Sequence, residues 1–181
     1  MTHFDFLKTL TKDVKVAALV PSSQYVIRRM VKEIPEGTRF VVEYGAGDGV
    51  ITKELLKLLP PDGKLVAIEL NNDFISELNV INDPRLIIVG GDVVRHSETL
   101  DAFGLPRIDL VISGIPFSLL KPEERRIIIK NTHRHLTNGG MFLIYQFTLL
   151  IYPILKKVFK ATEWRFELRN LPPYFIMVGR K

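Results

Sequence analysis

A seven-stranded, mostly parallel α/β sheet, with helices on both faces and an antiparallel C-terminal strand, is the fold this sequence predicts. Three observations lead to it. Apolar runs of strand length alternate with helical segments, a glycine-rich turn joins the first strand to a helix, and the chain closes on two strands linked by Asn170-Leu171-Pro172-Pro173. The first strand is Val41-Val42-Glu43-Tyr44, followed by the turn Gly45-Ala46-Gly47-Asp48-Gly49 and a helix running through Leu55, Leu56 and Leu59. The second and third strands are expected over 64–70 and 85–89, and the fourth over 107–113. A helix follows over about 122–136: Pro122 suits a first turn with Glu123 and Glu124 behind it, and Asn138-Gly139-Gly140 stops it. A strand over 141–147, a helix near 152–159 and strands over 164–169 and 174–179 complete the chain.

In such a sheet the ligand lies beyond the carboxyl ends of the strands. The glycines let the backbone turn tightly and approach a ligand, and the helix start beyond them offers unpaired N–H groups. Glu69 ends the second strand, where it can accept from ribose hydroxyls. The glycine spacing is not that of a dinucleotide fingerprint, because Val50 stands at its last glycine position. An acid before the turn, Glu43, repels a pyrophosphate but suits the ammonium of a methionine moiety. Asp92, after Gly90-Gly91, can accept from an adenine amino group. Three acids at the ends of successive strands fit a cationic sulfonium nucleoside.

The 181 residues suffice for a large core in one domain. Within it, residues 1–35 are expected to form an N-terminal helical segment and residues 36–181 the cofactor domain. The chain has no cysteine, which excludes a thiolate metal site. Its N-terminus lacks the apolar stretch of a signal peptide, which predicts a cytoplasmic protein. The apolar run 141–155 is interrupted by Gln146, Thr148 and Pro153 and falls short of the roughly 20 residues of a spanning helix. Charge is unevenly divided: +3 over residues 1–35, −6 over 36–120 and +8 over 121–181. An acidic cofactor region between basic flanks points to a polyanionic partner, nucleic acid or an anionic membrane surface.

Two segments bear on the substrate. After the fourth strand, Ser113-Gly114-Ile115-Pro116-Phe117-Ser118 stands where methyltransferases of the adenine amino group carry Asn or Asp before a Pro–aromatic pair. The equivalent position is Gly114, or Ser113 if shifted by one; neither side chain does that job as well, which favours an aliphatic amine. Near the N-terminus, Phe4, Leu7, Leu10, Val14 and Ala17 fall at helical spacing with Lys8, Lys12 and Lys15 largely off that stripe. Such a helix can lie in a membrane interface or pack on the domain.

The turn from Glu43 to Gly49, with Glu69 and Asp92, resembles the class I S-adenosylmethionine-dependent methyltransferases, whose fold is Rossmann-like. Val20-Pro21-Ser22-Ser23, Ser113-Gly114-Ile115-Pro116, Gln146-Phe147-Thr148 and Arg169-Asn170-Leu171-Pro172-Pro173 are, in order, similar to the bacterial phospholipid N-methyltransferases, relatives of the ribosomal RNA adenine dimethyltransferases. Asp48 and Phe117 depart from that family, which commonly has a hydroxyl and an aliphatic residue there.

The resemblance implies a peripheral membrane enzyme of phospholipid metabolism. It would transfer methyl from S-adenosyl-L-methionine, leaving S-adenosyl-L-homocysteine, to the amine of phosphatidylethanolamine or its methylated derivatives; the alternative is RNA adenine-N6 methylation. The cofactor residues it implies are Glu43, Gly45, Ala46, Gly47, Glu69, Leu70, Asp92, Val93 and Ser113. Substrate candidates are Ser22, Tyr25, Pro116, Phe117, Tyr145, Tyr152 and Arg169, the last for a lipid phosphate. His133 and His135, two apart on one helix, are read as surface residues without a metal role.

Overall fold

The computed structural model describes residues 24–169 and 173–181. The amphipathic stripe near the N-terminus, Ser22 and the link 170–172 therefore lie outside the described residues. The chain starts with α1 (Gln24–Glu33), β1 (Phe40–Tyr44), α2 (Val50–Leu58), β2 (Lys64–Glu69), α3 (Asn72–Leu78) and β3 (Leu86–Gly90). It continues through the short α4 (Val93–His96), β4 (Leu110–Ser113), α5 (Pro122–His135), β5 (Met141–Gln146), α6 (Tyr152–Val158), β6 (Ala161–Glu167) and β7 (Tyr174–Arg180). Single 3₁₀ turns stand at Leu100–Phe103 and Phe117–Leu119.

The seven strands order as β3-β2-β1-β4-β5-β7-β6. β7 alone runs against its neighbours β5 and β6, so the antiparallel C-terminal strand is borne out. From β1 the chain moves outward through β2 and β3, then returns to β4 on the other side of β1. The crevice of this sheet type opens at that reversal, beyond Tyr44 and Ser113.

β1, β4 and β5 are almost continuously apolar because helices cover both faces. On one face Val42, Val66, Val111, Phe142 and Ile144 pack with Ile128 and Ile129 of α5 and Leu155 of α6. On the other Val41, Leu65, Leu110, Ile112 and Leu143 pack with Val26, Ile27 and Met30 of α1 and Leu55 and Leu56 of α2. Residues 24–33 thus share the core of the sheet, and α1 is built onto the domain.

Helix termini follow their local chemistry. Asn71 caps α3 by accepting from the Asp73 N–H at 2.8 Å, and Glu124 reaches back to the Lys121 N–H at 2.7 Å at the start of α5. Several boundaries shift from the sequence reading, and two of the shifts have a visible local cause. β4 starts at Leu110, not 107, because Asp109 is spent at the strand entrance: its Oδ2 accepts from the Arg39 and Phe40 N–H groups, both at 3.0 Å. β6 starts at Ala161, not 164, since Ala161 and Thr162 already pair with Arg180 and Gly179. β5 ends at Gln146, one residue short of Phe147.

Candidate active site

β1 delivers Glu43 and Tyr44 to the crevice, and three glycines then carry the chain round with positive φ: Gly45 at 72°, Gly47 at 54° and Gly49 at 76°. A Cβ on Gly45 would press on Ile115 at 2.8 Å, so the turn is packed against the loop leaving β4. Gly47 has nothing within 4 Å of its Cβ position, which leaves its backbone open to a ligand.

Glu69, 8% exposed, organises this mouth. One oxygen accepts from the Gly47 N–H at 2.9 Å, and the other from the Leu70 and Asn71 N–H groups at 2.8 and 2.9 Å. A carboxylate has about four acceptor sites, so one remains for a ribose hydroxyl beyond these three. Leu70 beside it is 69% exposed, an apolar side chain at the lip. One strand further out, Asp92 accepts from the Val94 N–H at 2.8 Å through Oδ1 and is otherwise exposed, while Val93 behind it joins the core. Ala46 is buried against Ala67 and Leu78.

Glu43 is the most perturbed group of the site. Burial raises its pKa to about 8, the Thr52 hydrogen bond at 2.6 Å opposes the rise, and the charges of Glu69 and Asp48 add to it. Its Oε1 is buried without a partner among the described residues, and so is the Ser113 hydroxyl. These two orphaned atoms lie at the carboxyl ends of the two strands that flank the reversal, Glu43 one residue before the end of β1 and Ser113 at the end of β4, on opposite faces of the sheet. Buried polar atoms are normally satisfied, so both call for a partner that the described residues do not supply. An uncompensated carboxylate, an open glycine and a backbone-anchored acid fit S-adenosylmethionine.

The substrate residues separate more sharply. Tyr145 lies against Gly114: a Cβ there would collide with the Tyr145 hydroxyl. The sequence reading missed that an Asn at this position is excluded sterically as well as absent. It also missed Tyr174 and Phe147, whose rings stack 4.3 Å apart, with Tyr174 6.0 Å from Tyr145. Burial pushes the Tyr174 hydroxyl up to about 12. The period-2 register from Tyr145 to Phe147 was the available signal for one of them.

Other candidates are engaged within the fold. Phe117 is fully buried in the core cluster and cannot wall a cleft; Arg125 holds its turn by donating to the Phe117 carbonyl at 2.8 Å. Pro116 only leads into that turn. The Tyr152 hydroxyl donates to the Thr162 carbonyl at 3.3 Å, tying α6 to β6. Arg169 is already engaged, donating to both oxygens of Glu167 at 2.7 and 2.8 Å and stacking 4.8 Å from the Tyr25 ring centroid. Arg29 reaches the same carboxylate at 3.3 Å, so two guanidiniums share one charge and a net positive charge remains. His133 is packed edge-on against Phe159 at 5.0 Å, with its pKa lowered by burial and by Lys181 and Lys160. No metal-binding group of His, Asp and Glu is found among the described residues.

Comparison with known proteins agrees with this geometry. A family model described as a methyltransferase domain matches residues 41–140. The ornithine lipid N-methyltransferase of Singulisphaera acidiphila is 33% identical over 177 residues, 93% of this chain and 92% of that protein. The ribosomal RNA small subunit methyltransferase A of Thermotoga petrophila is 29% identical over 133 residues, 71% of this chain but 48% of that protein. The structure of Burkholderia thailandensis 1,6-didemethyltoxoflavin-N1-methyltransferase, with bound S-adenosylhomocysteine, has the same fold at a TM-score of 0.70 and 16% identity, covering 100% of this chain and 91% of that one. With a family match over more than half its length and a relative one-third identical nearly end to end, the chain belongs to the class I S-adenosylmethionine-dependent methyltransferases.

Proposed function

We propose that this methyltransferase acts on the amine head group of a membrane lipid: phosphatidylethanolamine or its methylated derivatives, or an ornithine lipid. The observation that carries the reading is the packing of Tyr145 on Gly114, which leaves no room for the Asn or Asp side chain used on adenine. The likeness to an ornithine lipid N-methyltransferase along 93% of the chain supports the same choice. Phosphatidylethanolamine and ornithine lipids both present an aliphatic amine.

In the proposed reaction Glu69 holds the ribose, Asp92 the adenine amino group and Glu43 the ammonium of the methionine moiety, with the Gly45–Gly49 backbone beneath. Once bound, S-adenosylmethionine supplies an electrophilic methyl on a sulfonium leaving group. The chain then has to bring a deprotonated amine into line with that methyl, and alignment alone can supply about 7–11 kcal/mol. Tyr145 Oη, against Gly114, is the group assigned to accept the amine N–H and fix the nitrogen; the ammonium proton is lost to water before attack. Tyr25 and the Arg29–Arg169 pair, on the same face as Tyr145, receive the anionic part of the lipid. The enzyme works at the surface of the bilayer, and no helix among the described residues is long and apolar enough to cross it.

The test offers labelled methyl donor with vesicles containing phosphatidylethanolamine or ornithine lipid, and separately with ribosomal RNA. Label in the amine-bearing lipid is expected. Label in RNA alone would replace this reading with adenine methylation.

A further inference from the structure

β6 is the outermost strand of the sheet, beyond β7, and its two faces have different tasks. One carries Arg165 and Glu167 towards α1, where they meet Glu33 and Arg29. The other carries Trp164 and Phe166, followed by Leu168 just past the strand, at alternating positions. These three are 44%, 39% and 70% exposed. Phe175 of β7 fills in behind them, with ring centroids 5.7 Å from Trp164 and 4.7 Å from Phe166. Four adjacent large apolar side chains at an open sheet edge are an unusual surface for a protein in water.

The surroundings of this row indicate what covers it. Lys160 precedes the strand, so an exposed cation stands at one end of the row. Lys156 and Lys157, in the last turn of α6, are exposed on the helix that packs against β6 and β7. Lys156, Lys157 and Lys160 have no carboxylate within ion-pairing distance among the described residues. The row thus combines an indole and a phenyl ring with long basic side chains, the combination that settles where acyl chains meet anionic head groups. The carboxyl end of β6 points the same way as that of β4, three strand spacings or about 14 Å across the sheet. A bilayer held at this edge therefore lies beside the crevice.

We infer that Trp164, Phe166 and Leu168, with Phe175 behind them, form a membrane-docking edge that inserts into the interface of an anionic bilayer and presents lipid amines to the site. The inference rests on the lipid reading above and adds a contact surface within the described residues. It can be read directly, because Trp164 is the single tryptophan of the chain.

The full chain is mixed with vesicles of phosphatidylcholine, alone or with phosphatidylglycerol, and tryptophan emission is followed. A blue shift with phosphatidylglycerol, weakened by salt, and quenching by acyl-chain-brominated lipid are expected. The variant Phe166→Ser/Leu168→Ser keeps the reporter. It should partition about tenfold or more less strongly while methylating a water-soluble short-chain amino lipid as the parent does. Vesicle sedimentation with unshifted, unquenched emission would overturn the docking edge, as would emission already blue-shifted without lipid and unmoved by it, the sign that the chain's own residues cover the row. Loss of self-association in the variant with unchanged vesicle binding would assign the row to a second copy and overturn it too. Failure to methylate any lipid amine, short-chain substrate included, would instead sink the lipid reading itself.

Discussion

Glu43 and Glu167 are both glutamates, at 1% and 2% exposure, yet their environments drive them in opposite directions. Glu43, at the crevice, has one hydroxyl partner and an orphaned oxygen, and burial lifts its pKa to about 8. Glu167, at the outer edge of the sheet, is held by hydrogen bonds from Arg169 and Arg29, and its pKa falls to about 2. The difference lies in which charges the protein has supplied. The outer carboxylate is a finished structural joint, complete without a ligand. The inner one is given no cation by the described residues, and the proposed contact with the cofactor's ammonium would supply that counter-charge from outside the chain.

The comparison breaks most readily through pH. Glu43 keeps its proton in the folded protein to about pH 8 but releases it near its ordinary value of 4.5 when unfolded. The unfolded state therefore binds fewer protons in that window, and stability falls as pH rises, by on the order of 4 kcal/mol between pH 5 and 8. Glu43→Gln should remove this slope, so the two proteins, melted in parallel without cofactor, diverge as pH rises. Identical pH profiles would mean that Glu43 is not held protonated.

A second test addresses the boundary between the two regions. Gly114→Asn forces Tyr145 aside and should cut methyl transfer about a hundredfold, the scale of a misplacement near 1 Å. Binding of S-adenosylhomocysteine should stay within a few-fold, because the carboxylates are untouched. Retained transfer to lipid would remove Tyr145 from the amine site.

The smallest effect is expected at the outer edge. Glu167→Gln should destabilise the protein by about 1–2 kcal/mol at pH 7, since the freed guanidiniums are partly exposed and resolvate. Here the folded pKa is depressed, so the wild-type advantage is present above pH 4.5 and fades as pH falls towards 2. Urea melts at pH 7 and pH 3 measure the gap, and a gap that widens at low pH would contradict the assignment.

Much of the inner region was legible in the sequence because its chemistry is local. A strand, three glycines and an acid in seven residues dictate a turn, and Glu69 and Asp92 follow their own strands at fixed offsets. Seven strands and the antiparallel last one could be read from apolar runs and short links. What could not be read depends on contacts across the sheet. Thr52 meets Glu43 because the first turn of α2 stacks over β1. Tyr145 excludes an Asn at Gly114 only because β4 and β5 are neighbours. Phe117 follows a proline in a loop, where the sequence allows either a cleft wall or a core side chain, and the 3₁₀ turn folds it into the core. Arg29 reads as a surface cation until β6 packs beside α1 and brings Glu167 to it. The peripheral membrane contact through the N-terminal stripe lies outside the described residues and stands as a proposal.

The most direct measurement is calorimetric titration of S-adenosylmethionine into the protein and into Glu69→Ala. Glu69 joins the Gly47 turn to the start of α3 and carries the proposed ribose contact, so removing its carboxylate strips both at once. The account predicts clear binding by the parent and a loss of a hundredfold or more in the variant. Equal affinity in the two proteins would contradict it.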